Sequence, residues 1–163
     1  MTSGVRKAPF VRLLVVAIAI PAALHPQPVK FSSLKVSSTR ELSRQAAWII
    51  TQGDQWKRFL TEILGHTGTP PRIDFQRHSV VAILAGQKSS AGYSIQVQKV
   101  TDDPQPGQPS RGTVHYRIVG PPPDAMTAQV LTYPFVLIRI EKKFTSLEFD
   151  PPIRVDTFSD PRP

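Results

Sequence analysis

Four histidines, two adjacent serines and a pair of neighbouring aspartates are the residues of this chain best equipped for chemistry. A serine hydroxyl, a histidine and a carboxylate in line make a nucleophilic triad. Histidines at helical spacing with an acidic partner hold zinc. Neither pattern is met. His25, His66, His78 and His115 stand apart, with no His-Glu-x-x-His run and no second ligand at metal spacing. Asp74 and His78 are four apart, but Pro70-Pro71 ahead of them and an apolar strand behind argue against a helix. On a strand they would share a face yet sit too far apart to touch. Ser89 and Ser90 lack the Gly-x-Ser-x-Gly elbow, which leaves a serine hydrolase as the remote alternative. Asp102-Asp103 reads as a solvated loop. Cysteine is absent, which removes disulfides, thiolate metal sites, a cysteine nucleophile and lipid attachment through cysteine. No catalytic residue, no cofactor and no metal is therefore expected, and the chain reads as a non-enzyme.

The chemistry that remains is recognition. Ala91-Gly92-Tyr93 follows Gln87-Lys88-Ser89-Ser90 in a polar loop, and Tyr133-Pro134 interrupts a later apolar run. Tyrosine offers a large contact area for few rotors, which suits a protein-binding loop. Lys88, Ser89, Ser90, Gly92 and Tyr93, with Tyr133 and Pro134 on a second loop beside them, form the candidate protein-binding set. The competing reading is that Gly92 only supplies a positive φ at a hairpin turn and Tyr93 only packs on the sheet. Nucleic acid is not an expected partner, because basic residues are scattered and aromatics do not interleave with them.

The elements that must position these loops are mostly strands. Val29–Val36 alternates weakly and is a candidate early strand. Gln45–Thr51 is rich in strand formers. Asp54–Leu64 is the one convincing helix, with Trp56, Phe59, Leu60 and Ile63 on one stripe, Thr51 or Asp54 to cap its start and Gly65 to end it. Ser79–Leu84 holds five consecutive apolar residues and predicts a strand buried on both faces. Tyr93–Val100 alternates strictly, with Tyr93, Ile95 and Val97 on one face, and forms a hairpin with the strand before it. Thr113–Val119 turns Val114, Tyr116 and Ile118 inward and His115 outward. Gln129–Ile140 is the longest apolar strand. Pro134 within it marks a bulge, an edge or the true start at Phe135. Short strands are expected at Ser146–Phe149 and Ile153–Val155. The fold class is mainly β, α+β at the margin: a small antiparallel sheet or compact sandwich with one amphipathic helix. A single helix is too few for a parallel sheet.

The start of the chain pulls in another direction. Arg6, Lys7 and Arg12 precede about a dozen apolar residues ending at Leu24. That length fits a secretory signal better than a membrane-spanning helix, which needs about 20. The small-x-small pattern for cleavage is poorly placed, so residues 1–24 are either a signal peptide or an uncleaved anchor. They also carry three of the 20 basic residues and none of the 12 acidic ones. The formal charge of +8 therefore falls to +5 without them. The expected division is 1–24 as signal or anchor, 25–44 as linker with a possible short strand, 45–158 as one β-rich domain and 159–163 as a frayed tail. The chain is expected to be exported, to the periplasm, cell envelope or outside, with membrane contact only through residues 1–24.

Ile73-Asp74-Phe75, the buried strand, Gly86-Gln87-Lys88, Gly92-Tyr93-Ser94-Ile95 and Thr132-Tyr133-Pro134-Phe135 together resemble the C-terminal domain of the PrcB family, named for a subunit of a bacterial surface protease complex. The resemblance spans about residues 45–142. It implies an exported, non-catalytic accessory domain whose partner is another exported protein, such as a protease. Two departures matter. The family commonly reads Gly-Gly-Tyr where this chain has Ala91-Gly92-Tyr93. Its founder resembles a lipoprotein, whereas this chain has no cysteine to lipidate. The Gly-Tyr and Tyr-Pro loops are also loosely similar to the wedge of chagasin-type cysteine protease inhibitors, which makes direct protease inhibition the alternative.

Overall fold

The structure is a computed structural model and describes residues 25–105 and 107–158. The expected signal or anchor (1–24) and the expected frayed tail (159–163) lie outside these residues. Among the described residues, nine strands form two sheets: β1 Gln27–Val29, β2 Phe31–Ser33, β3 Gln45–Ile50, β4 Ser79–Ala85, β5 Ser94–Asp102, β6 Arg111–Val119, β7 Phe135–Ile140, β8 Ser146–Asp150 and β9 Val155–Asp156. One sheet runs β1-β5-β6-β8 and the other β2-β7-β4-β3-β9. A helix, α1 Gly53–Arg58, continues as a π-helical turn over Phe59–Ile63.

Two apolar layers explain why β4 is buried along its whole length. Val81 and Ile83 point into the space between the sheets with Ala47, Ile138 and Ile140, and meet Val100, Val114, Tyr116, Leu147 and Phe149 of the other sheet. Val80, Ala82 and Leu84 point the opposite way, with Trp48, Ile50 and Leu137, under Trp56, Phe59, Leu60 and Leu64 of the helical segment. Each fully buried Val, Leu or Ile contributes about 1.5–3 kcal/mol relative to exposure, so β4 anchors both layers. The order is therefore sheet, sheet, helix.

The sheets are joined at both sides by segments that change sheet midway. β1 pairs with β5 and, one residue later, β2 pairs with β7. At the other side β8 lies parallel to β6, and β9 lies parallel to β3. The molecule is thus a flattened barrel whose corners are strands that switch sheets.

Several expectations change here. The β4–β5 hairpin does not form: the two strands belong to different sheets, and the loop between them crosses from one to the other. The 25–44 linker contributes two strands. Pro28 is tolerated in β1 because β1 is an edge strand. Pairing is mainly antiparallel, but β6–β8 and β3–β9 are parallel, reached by long connections and not by helical crossovers. The alternation of β5 breaks at Gln98, where a bulge shifts the register between Val97 and Lys99 and brings Val100 inward. In the helical segment the Leu64 N–H bonds the Phe59 carbonyl at 3.1 Å. This wider turn makes Leu64, and not Ile63, the fully buried residue after Leu60. Neither Thr51 nor Asp54 caps the helix. Gln52 occupies that position without a side-chain bond, and Gln55 Oε1 accepts the Thr51 N–H at 3.0 Å. Gly65, at φ 61°, ends the segment as expected.

Candidate functional site: a two-loop face

The chain leaves β4 through Gly86 and reaches β5 by way of residues 87–93. It leaves β6 through Gly120 and reaches β7 by way of residues 121–134. Backbone bonds fasten these two loops together. Lys88 donates its N–H to the Thr132 carbonyl at 2.9 Å, and Thr132 returns the bond at 3.0 Å. The Ala91 N–H reaches the Ala128 carbonyl at 3.0 Å. Thr132 Oγ1 donates to the Ser90 carbonyl at 2.9 Å. These bonds consume the polar groups that a solvated loop would give to water, so the pair is a fixed edge of the barrel.

Gly92 has φ 91°, as a left-handed position requires, but it turns the chain between sheets and not within a hairpin. A Cβ there would sit 3.0 Å from Pro121 Cβ and 3.6 Å from Thr127 Cγ2. Glycine thus serves both the turn and the close approach of the second loop. Tyr93 is half-buried. Its ring lies against Gly120, and Lys88 Nζ stands 5.7 Å from the ring centroid. Ser89 is exposed, whereas Ser90 is 9 % exposed and tucked under the junction. Tyr133 turns away from Tyr93. It packs on the helix-side core, as do Phe135 and Leu137. Partial burial raises the pKa of its hydroxyl, and the carboxylate and hydrogen bond of Glu41 raise it further. Pro134 precedes the true start of β7 at Phe135, and its carbonyl accepts the Ala85 N–H at 2.9 Å. The structure therefore joins the backbones of the two expected loops and separates their tyrosine rings.

Sequence reasoning missed what the second loop presents. Val130 and Leu131 belong to the stretch expected as the front of a long apolar strand. Instead they precede β7 and are 51 % and 59 % exposed, and Met126 projects fully into solvent. An apolar run with no period gives no signal of its exposure. These three exposed apolar side chains sit on the loop that is bonded to the Gly-Tyr loop.

The groups considered for catalysis are placed elsewhere. His115 Nδ1 and Asp150 Oδ2 are 2.9 Å apart on the outer face of the β6–β8 pair, a relationship that sequence distance hid. No serine or threonine hydroxyl bonds this histidine among the described residues. His78 does contact Asp74, contrary to expectation, because a turn at 75–77 folds its Nδ1 and its N–H to within 3.0 Å of the Asp74 carbonyl. Asp102 is no free loop carboxylate: it closes β5 and is ion-paired to Lys142, while Asp103 accepts from Thr113 Oγ1 at 3.2 Å. Among the described residues, no group of three or more His, Cys, Asp or Glu side chains could hold a metal ion. No helix among them is long and apolar enough to cross a membrane.

The two-loop face and the strands that carry it coincide with a match to a known family. Residues 79–141 match the family model described as PrcB C-terminal. The match runs from the first residue of β4 to the residue after β7 and takes in both loops. It does not extend to β3 and the helical segment, which the resemblance read from sequence had included. No curated protein and no solved structure matches the chain. The PrcB-like segment thus supplies β4 to β7 of the barrel, and association with a protease complex is the family-level expectation that comes with it.

Proposed function

We propose that this chain is an exported, non-catalytic protein-binding domain, an accessory subunit of an exported protease. Its contact surface is the joined face of residues 87–93 and 120–134. The observation that carries the reading is the exposure of Met126, Val130 and Leu131 on a loop held by backbone bonds to the Gly92-Tyr93 loop. A fixed loop presenting apolar side chains loses little entropy on binding, which favours affinity over area. The PrcB C-terminal match over the same strands supports a protease as the class of partner. The basic, apolar start of the chain supplies the expectation of export.

The test is comparative capture. Immobilised full chain, wild type and Met126→Asp/Leu131→Asp, is exposed to envelope and culture fractions of the source organism. The expected result is a protease recovered by the wild type and lost with the double variant. Recovery of the same proteins by both would refute the surface. Direct inhibition, the alternative, would draw on Tyr93 and Lys88 alone, since Tyr133 faces the core. Stoichiometric loss of activity in the captured protease on adding free chain would support it.

A further inference from the structure

Among the described residues, the edge strands of both sheets are guarded against pairing. β1 and β2 have three residues each, and β1 carries Pro28. β9 has two residues, one of them Asp156. β8 is longer, but it projects Glu148 and Asp150 and ends in Pro151-Pro152. Shortness, charge and proline are the usual means of blunting an edge. The stretch that leads into β7 has none of them. From Ala125 to Tyr133 no charged side chain and no proline occurs. The chain passes from Ala125 to Leu131 without a turn or bend. Ala128, Gln129, Val130 and Leu131 are all exposed. Among the described residues, Gln129, Val130 and Leu131 make no backbone hydrogen bond. Their neighbours are fastened inward: the Ala128 carbonyl accepts the Ala91 N–H, and Thr132 exchanges both bonds with Lys88. The alternation of an extended chain therefore turns the N–H and C=O of Gln129 and Leu131 away from the first loop.

We infer that Gln129–Leu131 is a strand-addition edge, which takes an uncharged extended segment of the partner protein. The inference rests on the protein-binding reading and names how that partner is held. Two outward backbone pairs at i and i+2 match the spacing at which a neighbouring strand offers its own. The occupant's chemistry follows from the lining. With no charge between Ala125 and Tyr133, an acidic or basic segment would lose hydration on docking and gain no counter-charge there. Lys88, the charged residue of the first loop, is set over the Tyr93 ring at 5.7 Å. Exposed Val130 and Leu131 instead favour apolar side chains placed across from them. The bonds to Lys88 and Ala91 hold the segment extended before the partner arrives, which lowers the ordering cost. The edge also lies within the two-loop face itself, between Met126 and Tyr133.

The test titrates ¹⁵N-labelled full chain with an acetylated, amidated Thr-Val-Thr-Val-Thr peptide. Two control peptides accompany it, one N-methylated on alternate backbone nitrogens and one with aspartate for valine. Expected are shifts centred on residues 128–132, with new protection of the Gln129 and Leu131 amides from exchange. N-methylation should weaken binding about tenfold by removing backbone bonds, and aspartate should weaken it as well. Gln129→Pro deletes one outward N–H at an exposed residue whose backbone bonds nothing among the described residues. It should weaken the peptide about fivefold, and Gln129→Ala should not. Equal binding of the N-methylated peptide, shifts confined to other residues, or no shift at millimolar peptide would overturn the inference. So would shifts at 128–132 that grow with protein concentration in the absence of peptide, which would make the occupant a second copy of the chain. The protein-binding reading fails separately. Capture of the protease lost in Met126→Asp/Leu131→Asp but intact in Gln129→Pro leaves the loop face standing and removes the edge. Peptide binding at 128–132 with no protease captured by the wild type leaves the edge standing and removes the protease.

Discussion

Lys88 and Thr132 exchange both of their backbone hydrogen bonds, at 2.9 and 3.0 Å, and so couple two loops that are 44 positions apart in sequence. The consequence is mechanical. Residues 88–91 and 128–132 are tied by these bonds, so Gly92-Tyr93 and the segment bearing Val130 and Leu131 hold one another in place. Thr132 reinforces the junction through its hydroxyl on Ser90. Thr132→Val keeps the shape and the backbone pair but deletes that bond. It should cost about 1 kcal/mol in denaturant unfolding and raise hydrogen exchange at the Lys88 and Ala91 amides. Unchanged exchange at both would show the loops to be held by other means.

Gly92 and Gly107 share a positive φ, 91° and 73°, yet differ in surroundings. At Gly107 an added Cβ meets nothing within 4 Å, while at Gly92 it meets Pro121 at 3.0 Å. Both alanine variants bear the left-handed strain, about 1–2 kcal/mol, and Gly92→Ala bears the displacement of the second loop as well. Thermal unfolding should rank Gly92→Ala below Gly107→Ala. The reverse order would contradict the packing of the two loops.

Gly112 is fixed by space and not by φ. A Cβ there would clash with the Thr101 carbonyl oxygen and fall 2.6 Å from the Phe144 ring. One neighbour is ladder backbone and the other is a ring buried between the sheets, so neither yields easily. Gly112→Ala should destabilise by about 3 kcal/mol, read as a lowered denaturant midpoint. A loss within about 0.5 kcal/mol would mean that β5 and β6 are further apart at this register.

Tyr116 gives an alkaline signature. Burial between the sheets raises its pKa above 10.0, and Gln45 offsets part of the shift. The folded state then holds the phenolic proton more tightly than the unfolded chain does. The stabilisation is complete below pH 10 and is lost as pH climbs through the raised folded value. Tyr116→Phe should leave neutral-pH stability nearly unchanged and make the decline above pH 10 shallower. An unaltered alkaline limb would place the hydroxyl in water.

What the sequence disclosed follows from local pattern. Val80–Leu84 announces a two-sided strand because no polar residue gives it an outer face, and the helix and second sheet supply its two covers. Trp56, Phe59 and Leu60 announce a helix stripe that does pack inward. Partners across long distances left no such mark. Nothing local tells that the chain changes sheet between Ala85 and Ser94, that β8 lies parallel to β6, or that Asp150 closes on His115. The same limit governs the site. Gly92-Tyr93 stood out as a dipeptide, whereas Val130 and Leu131 read as buried because hydrophobic composition alone suggested a strand core.

The central claim is that the joined loops are where a partner binds. A photo-crosslinking amino acid placed in turn at Met126, at Leu131 and at Glu148 on the outer face of β8 tests it in cells of the source organism. Binding at the two-loop face predicts one discrete adduct with an exported protease subunit from positions 126 and 131, and none from position 148. Adducts of equal yield from all three positions, or from position 148 alone, would contradict it.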